Sequence, residues 1–261
     1  MPRAIVVTSG KGGVGKTTLT AALGKVLAEN GQRTVLLDAD IGLNNLDVLM
    51  NVENRITFDI TDVVENRCRP RQALVEDPFT RGLFVLPSAH GYDSGAINGQ
   101  ALRAVIRSLL KTFDYCFVDC PAGVEAGFHR AVTACDEALV VVTPHISSVR
   151  DADKVLRLLT GYGIGADVVI NRARGDLMLT EEMIPVGEVA RALSVTPIGV
   201  IPESDRINLA SNFGFPSGSD TGEAIRILAE NLMTGSRIQY DVTKKYRGLL
   251  GAVRRGLRRK I

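Results

Sequence analysis

The chain has 261 residues, 45% hydrophobic, 23% charged and only 5% aromatic with no tryptophan, enough for one large globular domain around an aliphatic core. Net charge is +2 but uneven: residues 244–261 hold eight Lys or Arg and no acid, leaving 23 basic against 29 acidic residues, a net of −6, in the rest. The apolar run in MPRAIVVTSG is too short for a signal-peptide core, no stretch reaches the roughly 18 residues of a spanning helix, and Cys68, Cys116, Cys120 and Cys135 form no C-x-x-C pair, so a reduced chain that neither crosses a membrane nor is secreted is expected.

Short apolar runs alternate with helical patterns along the chain, the signature of repeated βαβ units. AIVVTS (4–9) predicts a first strand, and Thr17 to Asn30 a helix closed by Gly31. TVLLDAD (34–40) predicts the second strand and GLFVLPS (82–88) the third. A helix over QALRAVIRSLLKTF (100–113) leads to a fourth strand in DYCFVDCPAG, and DEALVVVTP (136–144) is the fifth. SSVRDADKVL starts the next helix, with Ser148 and Asp151 at the spacing of a capping box. ADVVINRAR (166–174) and TPIGVIPES (196–204) add two strands around a helix from Val186 to Leu193, and a last core helix follows Thr221. The expected fold is α/β: a doubly wound, mostly parallel sheet flanked by helices over residues 1–240, with a basic appendage at 241–261.

GKGGVGKT, Gly10 to Thr17, fits G-x-x-x-x-G-K-[ST] and stands where that loop belongs, after a strand and before a helix. Backbone N–H groups across Lys11, Gly12, Gly13, Val14, Gly15, Lys16, Thr17 and Thr18 can surround a polyphosphate at the positive helix terminus. Lys16 would neutralise the β- and γ-phosphate oxygens and Thr17 would offer its hydroxyl to Mg²⁺. Asp119 ends the apolar run CFVD, where the Mg²⁺-side carboxylate of a phosphate-loop enzyme belongs; a strand-end Asp that merely opens a turn is the structural alternative. Asp38 and Asp40 share a face if extended geometry continues, so they can arrange water beside the metal and the γ-phosphate. Phosphoryl transfer to water needs positioning and charge neutralisation, so hydrolysis of ATP with Mg²⁺ is expected.

The two-lysine loop KGGVGKT, the segments DADIGLNNLD and DCPAG, and SSVRDADKVL together resemble the MinD family of septum site-determining ATPases over nearly the whole chain. The loop alone marks only the wider deviant Walker A group, which includes ParA-type partition ATPases, nitrogenase iron protein and flagellar-number regulators. The resemblance implies a homodimer that sandwiches ATP, with Lys11 crossing to the neighbour's phosphates and Asn45 at the dimer face; surplus exposed charge is the alternative for Lys11. It also implies that Asp40 places the attacking water, and that Asp38 and Asp119 hold the metal's water shell. Asn171, Arg172 and Pro202 fall where the family grips adenine, or are plain strand-end turn residues. Arg150, Asp151 and Asp153 fall where the family docks a MinC-like division inhibitor and a MinE-like activator. Cys120 departs from the pattern, standing where a small hydroxyl residue is common.

In the appendage, Tyr246, Leu249, Leu250, Val253, Leu257 and Ile261 share one helical stripe and the arginines fall on the other side. That is the pattern of an interfacial helix on anionic membrane lipid. A helix docked on its own body and a nucleic-acid tail are the alternatives, but phosphate binding needs no row of Leu, Val and Ile, so no nucleic acid is expected. Gly248, Gly251 and Gly256 weaken the helix in water. Two tails on a dimer bind far more tightly than one, so ATP is expected to move the chain between the cytoplasm and the inner face of the cell membrane.

Overall fold

A computed structural model of the chain describes residues 1–40, 45–88, 97–204 and 219–248, together with 251 and 253. Eight strands form one sheet: β1 (Arg3–Thr8), β2 (Thr34–Asp38), β3 (Val75–Glu76), β4 (Leu83–Leu86), β5 (Tyr115–Asp119), β6 (Glu137–Val142), β7 (Gly165–Ala173) and β8 (Gly199–Pro202). Their order across the sheet is β3-β4-β2-β5-β1-β6-β7-β8, and every pairing is parallel except that of β3 with β4. The seven expected strands are present; the two-residue β3 at the edge is too short to leave an apolar run.

Nine α-helices lie among the described residues: α1 (Lys16–Glu29), α2 (Asn45–Leu49), α3 (Ile60–Val64), α4 (Gly99–Leu109), α5 (Ala126–Ala134), α6 (Ile146–Gly161), α7 (Gly175–Met178), α8 (Val186–Leu193) and α9 (Asp220–Thr234). Side chains alternate across the strands, so each face has its own core. Ile5, Val7, Leu36 and Phe117 meet α1 and α9 on one face. Val6, Leu37, Val118 and Val140 meet α4, α5 and α6 on the other. Strands covered on both sides can be apolar throughout, as LLD and FVD are up to their last residue. Each fully buried Leu or Phe in these layers contributes about 1.5–3 kcal/mol, which fixes the strand ends that carry the polar groups.

One expected local device is absent. Ser148 and Asp151 do not form a capping box: α6 begins at Ile146, with extended His145 as the N-cap, so Ser148 already lies inside the first turn. Its hydroxyl instead accepts the backbone N–H of Thr143 at 3.0 Å, joining the helix to the end of β6. The composition break near Tyr240 is not a structural boundary either. Val242 and Tyr246 are buried against the body, so Tyr246 is not a free member of the lipid-facing stripe. Of the other stripe residues, Val253 is exposed, whereas Leu249, Leu250, Leu257 and Ile261 lie outside the described residues.

Candidate functional site: a phosphate loop beside two buried carboxylates

The central strand β1 delivers the loop of residues 9–15 to the carboxyl edge of the sheet, where open α/β folds bind ligands. Ser9 donates its hydroxyl to the Lys11 carbonyl at 2.7 Å and tightens the turn. Gly15 is the N-cap of α1 in the left-handed conformation, φ 94°. A side chain there would be strained, and its Cβ would also lie 2.6 Å from Asn171 Nδ2. That amide donates to the Val14 carbonyl at 2.8 Å, so the end of β7 clamps the loop across 157 positions of sequence. The two lysines separate by environment: Lys16 is 8% exposed, whereas Lys11 is exposed.

Beside the loop, Asp38 and Asp119 stand opposite each other in the β2–β5 register, and Val7 lies opposite Asp119 in β1. Asp38 accepts the backbone N–H of Asp40 at 2.9 Å and that of Leu46 at 3.1 Å, which pins the start of α2 to the strand end. Burial nonetheless pushes its pKa up to about 6, with Asp47 and Asp40 adding repulsion. Asp119 is pushed to about 7, again by burial, against the opposing hydrogen bond from the Thr17 side chain and the attraction of Lys16. Its Oδ1 is buried without a hydrogen-bond partner among the described residues. Two buried carboxyls whose charged forms lack compensation, one with an unused oxygen, suit a cation beside the loop. Magnesium with a polyphosphate therefore fits the residues present: Thr17, Asp38 and Asp119 would hold the ion and its waters, and the loop amides the phosphates. Asp40, half-buried, is also raised by burial and pulled back by Lys16, so it faces the same space.

The base end is assembled differently. Ile170 pairs with Val200 and Ala173 with Pro202, so β7 carries one extra residue, a bulge at Asn171 and Arg172. Arg172 sits there at φ 56° and is exposed. Pro202 is buried at the end of β8, the sheet's edge strand, where its missing N–H costs no ladder bond. Asn171, Arg172 and Pro202 thus come to one place, but Asn171 also has the loop-clamping contact that strand-end reasoning does not reveal. Arg174, unmarked in the sequence reading, grips Asp176 at 2.6 Å and reaches Glu203 at 3.9 Å, joining the ends of β7 and β8.

Asn45 is exposed at the first turn of α2. On α6, Arg150 is exposed, Asp151 pairs with Lys154 at 3.3 Å and Asp153 with Arg157 at 3.0 Å. Such surface pairs are worth about 0.3–0.5 kcal/mol, so both carboxylates remain open to exchange. The Asp151 backbone also lies against Gly10 of the phosphate loop, closely enough that no side chain fits between them.

The family model for the CobQ/CobB/MinD/ParA nucleotide binding domain matches residues 5–216. The septum site-determining protein MinD of Bacillus subtilis is 43% identical over 89% of this chain and 88% of its own length. That of Synechocystis is 42% identical over 98% of this chain and 99% of its own.

The chain belongs to the MinD family.

Solved MinD structures agree. MinD in the MinC:MinD cell division protein complex of Aquifex aeolicus has a TM-score of 0.82 at 39% identity, covering 90% of this chain and 97% of its own. MinD of Pyrococcus horikoshii complexed with Mg-ADP has a TM-score of 0.80 at 29% identity over 90% of this chain and 97% of its own. The MinD motifs thus sit on a MinD fold, with the nucleotide-binding loop at its central strand.

Proposed function

We propose that this chain is an ATPase of the septum-positioning type, which pairs with a second copy around ATP, holds to the inner face of the membrane while paired, and lets go after hydrolysis. The observation that carries the reading is the contrast between the two lysines of one loop: Lys16 is buried at the helix N-terminus, and Lys11, five positions earlier, is exposed. An exposed cation on the phosphate loop is suited to the triphosphate of a neighbour, where added positive charge in trans stabilises the transition state.

When bound, Mg²⁺ neutralises charge on the β- and γ-phosphate oxygens. The chain's own groups do the rest. Loop amides and Lys16 orient the triphosphate, Thr17 and the two buried carboxylates hold the metal's water shell, and Asp40 directs a water at phosphorus. Burial of Asp38 and Asp119 keeps bulk water out of this corner, so these charges act in a medium of low polarity. Asn171, Arg172 and Pro202 receive the adenine. A MinC-type inhibitor is the expected cargo, supported by the Aquifex complex, and α6 through Arg150, Asp151 and Asp153 is its surface, shared with a MinE-like activator.

The test is sedimentation with anionic vesicles in ATP against ADP, for the full chain, for Lys11→Ala, and for a chain ending at Gly248. Ending the chain earlier, at Asp241, would strip Val242 and Tyr246 from the body and confuse a tail effect with a folding effect. Wild type should sediment at a far lower vesicle concentration in ATP than in ADP, Lys11→Ala should remain monomeric and show no such gain in ATP, and the shortened chain should dimerise without binding. A Lys11→Ala chain that dimerises and hydrolyses normally defeats the reading, as does a shortened chain that still sediments. Retention of DNA in ATP with indifference to vesicles would favour a ParA-like partition role.

A further inference from the structure

The C-terminal segment is fastened to the body well past the point where its composition changes. Asn231 of α9, wholly buried, donates to the carbonyls of Ile198 and Ile238 at 2.7 Å each and accepts the Ile238 N–H, which turns the chain back along the sheet. Gln239 donates to the Pro197 carbonyl at 3.2 Å. Val242 and Tyr246 are each 4% exposed. Lys245 pairs with Asp220 at the start of α9, and Arg247 with Asp241 at 3.4 Å. The tightest point is Gly175, at the start of α7: a Cβ there would stand 2.0 Å from the Val242 carbonyl oxygen. Gly248, at φ 72°, then redirects the chain, and Gly251 is buried against the Tyr246 backbone.

These contacts are strong enough to order the segment and incomplete enough to release it. A groove of about 330 Å³, partly open to solvent, runs beside it, lined in part by Met178, Leu179, Pro185, Val186, Tyr240 and Val242. A segment that borders an open groove has one edge free of packing, and elements with few buried contacts open below the global unfolding free energy. Tyr246, Lys245 and Arg247 are also the first apolar and basic groups of the stripe expected to meet lipid. They cannot serve a bilayer and the body together.

We infer that α7 and the start of α9 form a docking surface for the chain's own tail root, residues 239–248, and that an anionic bilayer competes with it for the same side chains. The inference rests on the membrane reading above. Its two anchor points flank the base end of the nucleotide site: Gly175 follows Arg172 by three residues, and Asp220 begins the helix packed against β8. Docking therefore raises the lipid concentration that a single copy needs, and any change that nucleotide makes at the β7 end is felt by the root, and the reverse.

Body-side variants test this without altering the tail. Gly175→Ala should expel Val242, and Asp220→Asn should loosen Lys245 more gently, as a check if the first variant folds poorly. Trypsin should cut the full-length variants after Lys244, Lys245 or Arg247 about tenfold faster than wild type in the absence of lipid. The concentration of phosphatidylglycerol vesicles that half-sediments the protein in ADP should fall severalfold. If both folded variants cut and sediment as wild type does, no such docking operates; faster cutting with an unchanged vesicle midpoint overturns the competition. Should wild type fail to sediment even in ATP, the membrane reading fails, and docking of the root is judged by the trypsin arm alone.

Discussion

The two ends of the nucleotide site are built by opposite means. At the phosphate end, loop, helix cap, Lys16 and Thr17 lie within eight consecutive residues, and the two carboxylates are the last residues of strands that neighbour each other. At the proposed base end, the surface is made from a bulge in β7 and the tip of an edge strand, with the C-terminal segment seated nearby on α7. The first end is rigid because it grows out of the middle of the sheet. The second hangs on the last two strands of the sheet and on a root that borders an open groove. A switch needs both: chemistry demands fixed donors, and release demands an element of low local stability. Asn171 joins them, since one residue of the base end holds the backbone of the phosphate loop.

Lys16→Ala gives the largest effect expected from this contrast. Turnover should fall by a factor on the order of 10³, with nucleotide affinity falling alongside, because the lost charge lies inside one copy's own site. Lys11→Ala should match it in turnover yet keep monomer affinity within a few-fold, as titration calorimetry would read. Equal loss of affinity in both would erase the distinction between the lysines.

Asn171→Ala should reduce affinity at least tenfold and destabilise the nucleotide-free chain by about 1–3 kcal/mol in urea unfolding, since the Val14 carbonyl loses its donor in a buried place. A variant with weakened affinity and unchanged stability would reduce Asn171 to a base contact and sever the two ends.

Asp119→Asn should raise the melting temperature of the magnesium-free protein while abolishing stabilisation by magnesium and nucleotide. The sign follows from burial. Asp38 and Asp119 have folded pKa values of about 6 and about 7 against an ordinary value of 3.8. The folded chain thus keeps protons that the unfolded chain gives up, so the contribution of these groups to stability is full below about pH 4 and is lost as pH rises through 6 and 7. Melts between pH 5 and 8 should show wild type declining more steeply than the variant. Parallel curves would mean that the carboxylate does not sit in the dry corner described.

The smallest effect sharpens α6. Ser148→Ala should cost about 1 kcal/mol in urea unfolding through the unsatisfied Thr143 amide, whereas Asp151→Ala should cost no more than about 0.5 kcal/mol. The reverse ranking would restore the capping box.

Chain order and periodicity alone determined the α/β class, the seven main strands, the phosphate loop and the two acidic strand ends beside it. Each of these is written in contiguous residues: a loop pattern, an apolar run and the polar residue that ends it. Tertiary structure decided the rest. Ser148 and Asp151 have the right spacing for a cap, but the strand preceding them sets where the helix starts. Asn171 reads as an adenine contact or a turn residue, and its clamp on the phosphate loop shows only when the fold brings Val14 beside it. Tyr246 fits an amphipathic stripe, yet the body offers it a buried seat first. Spacing along a chain fixes which residues share a face; only packing fixes what that face touches, because contacts across the sheet join positions whose separation leaves no periodic trace.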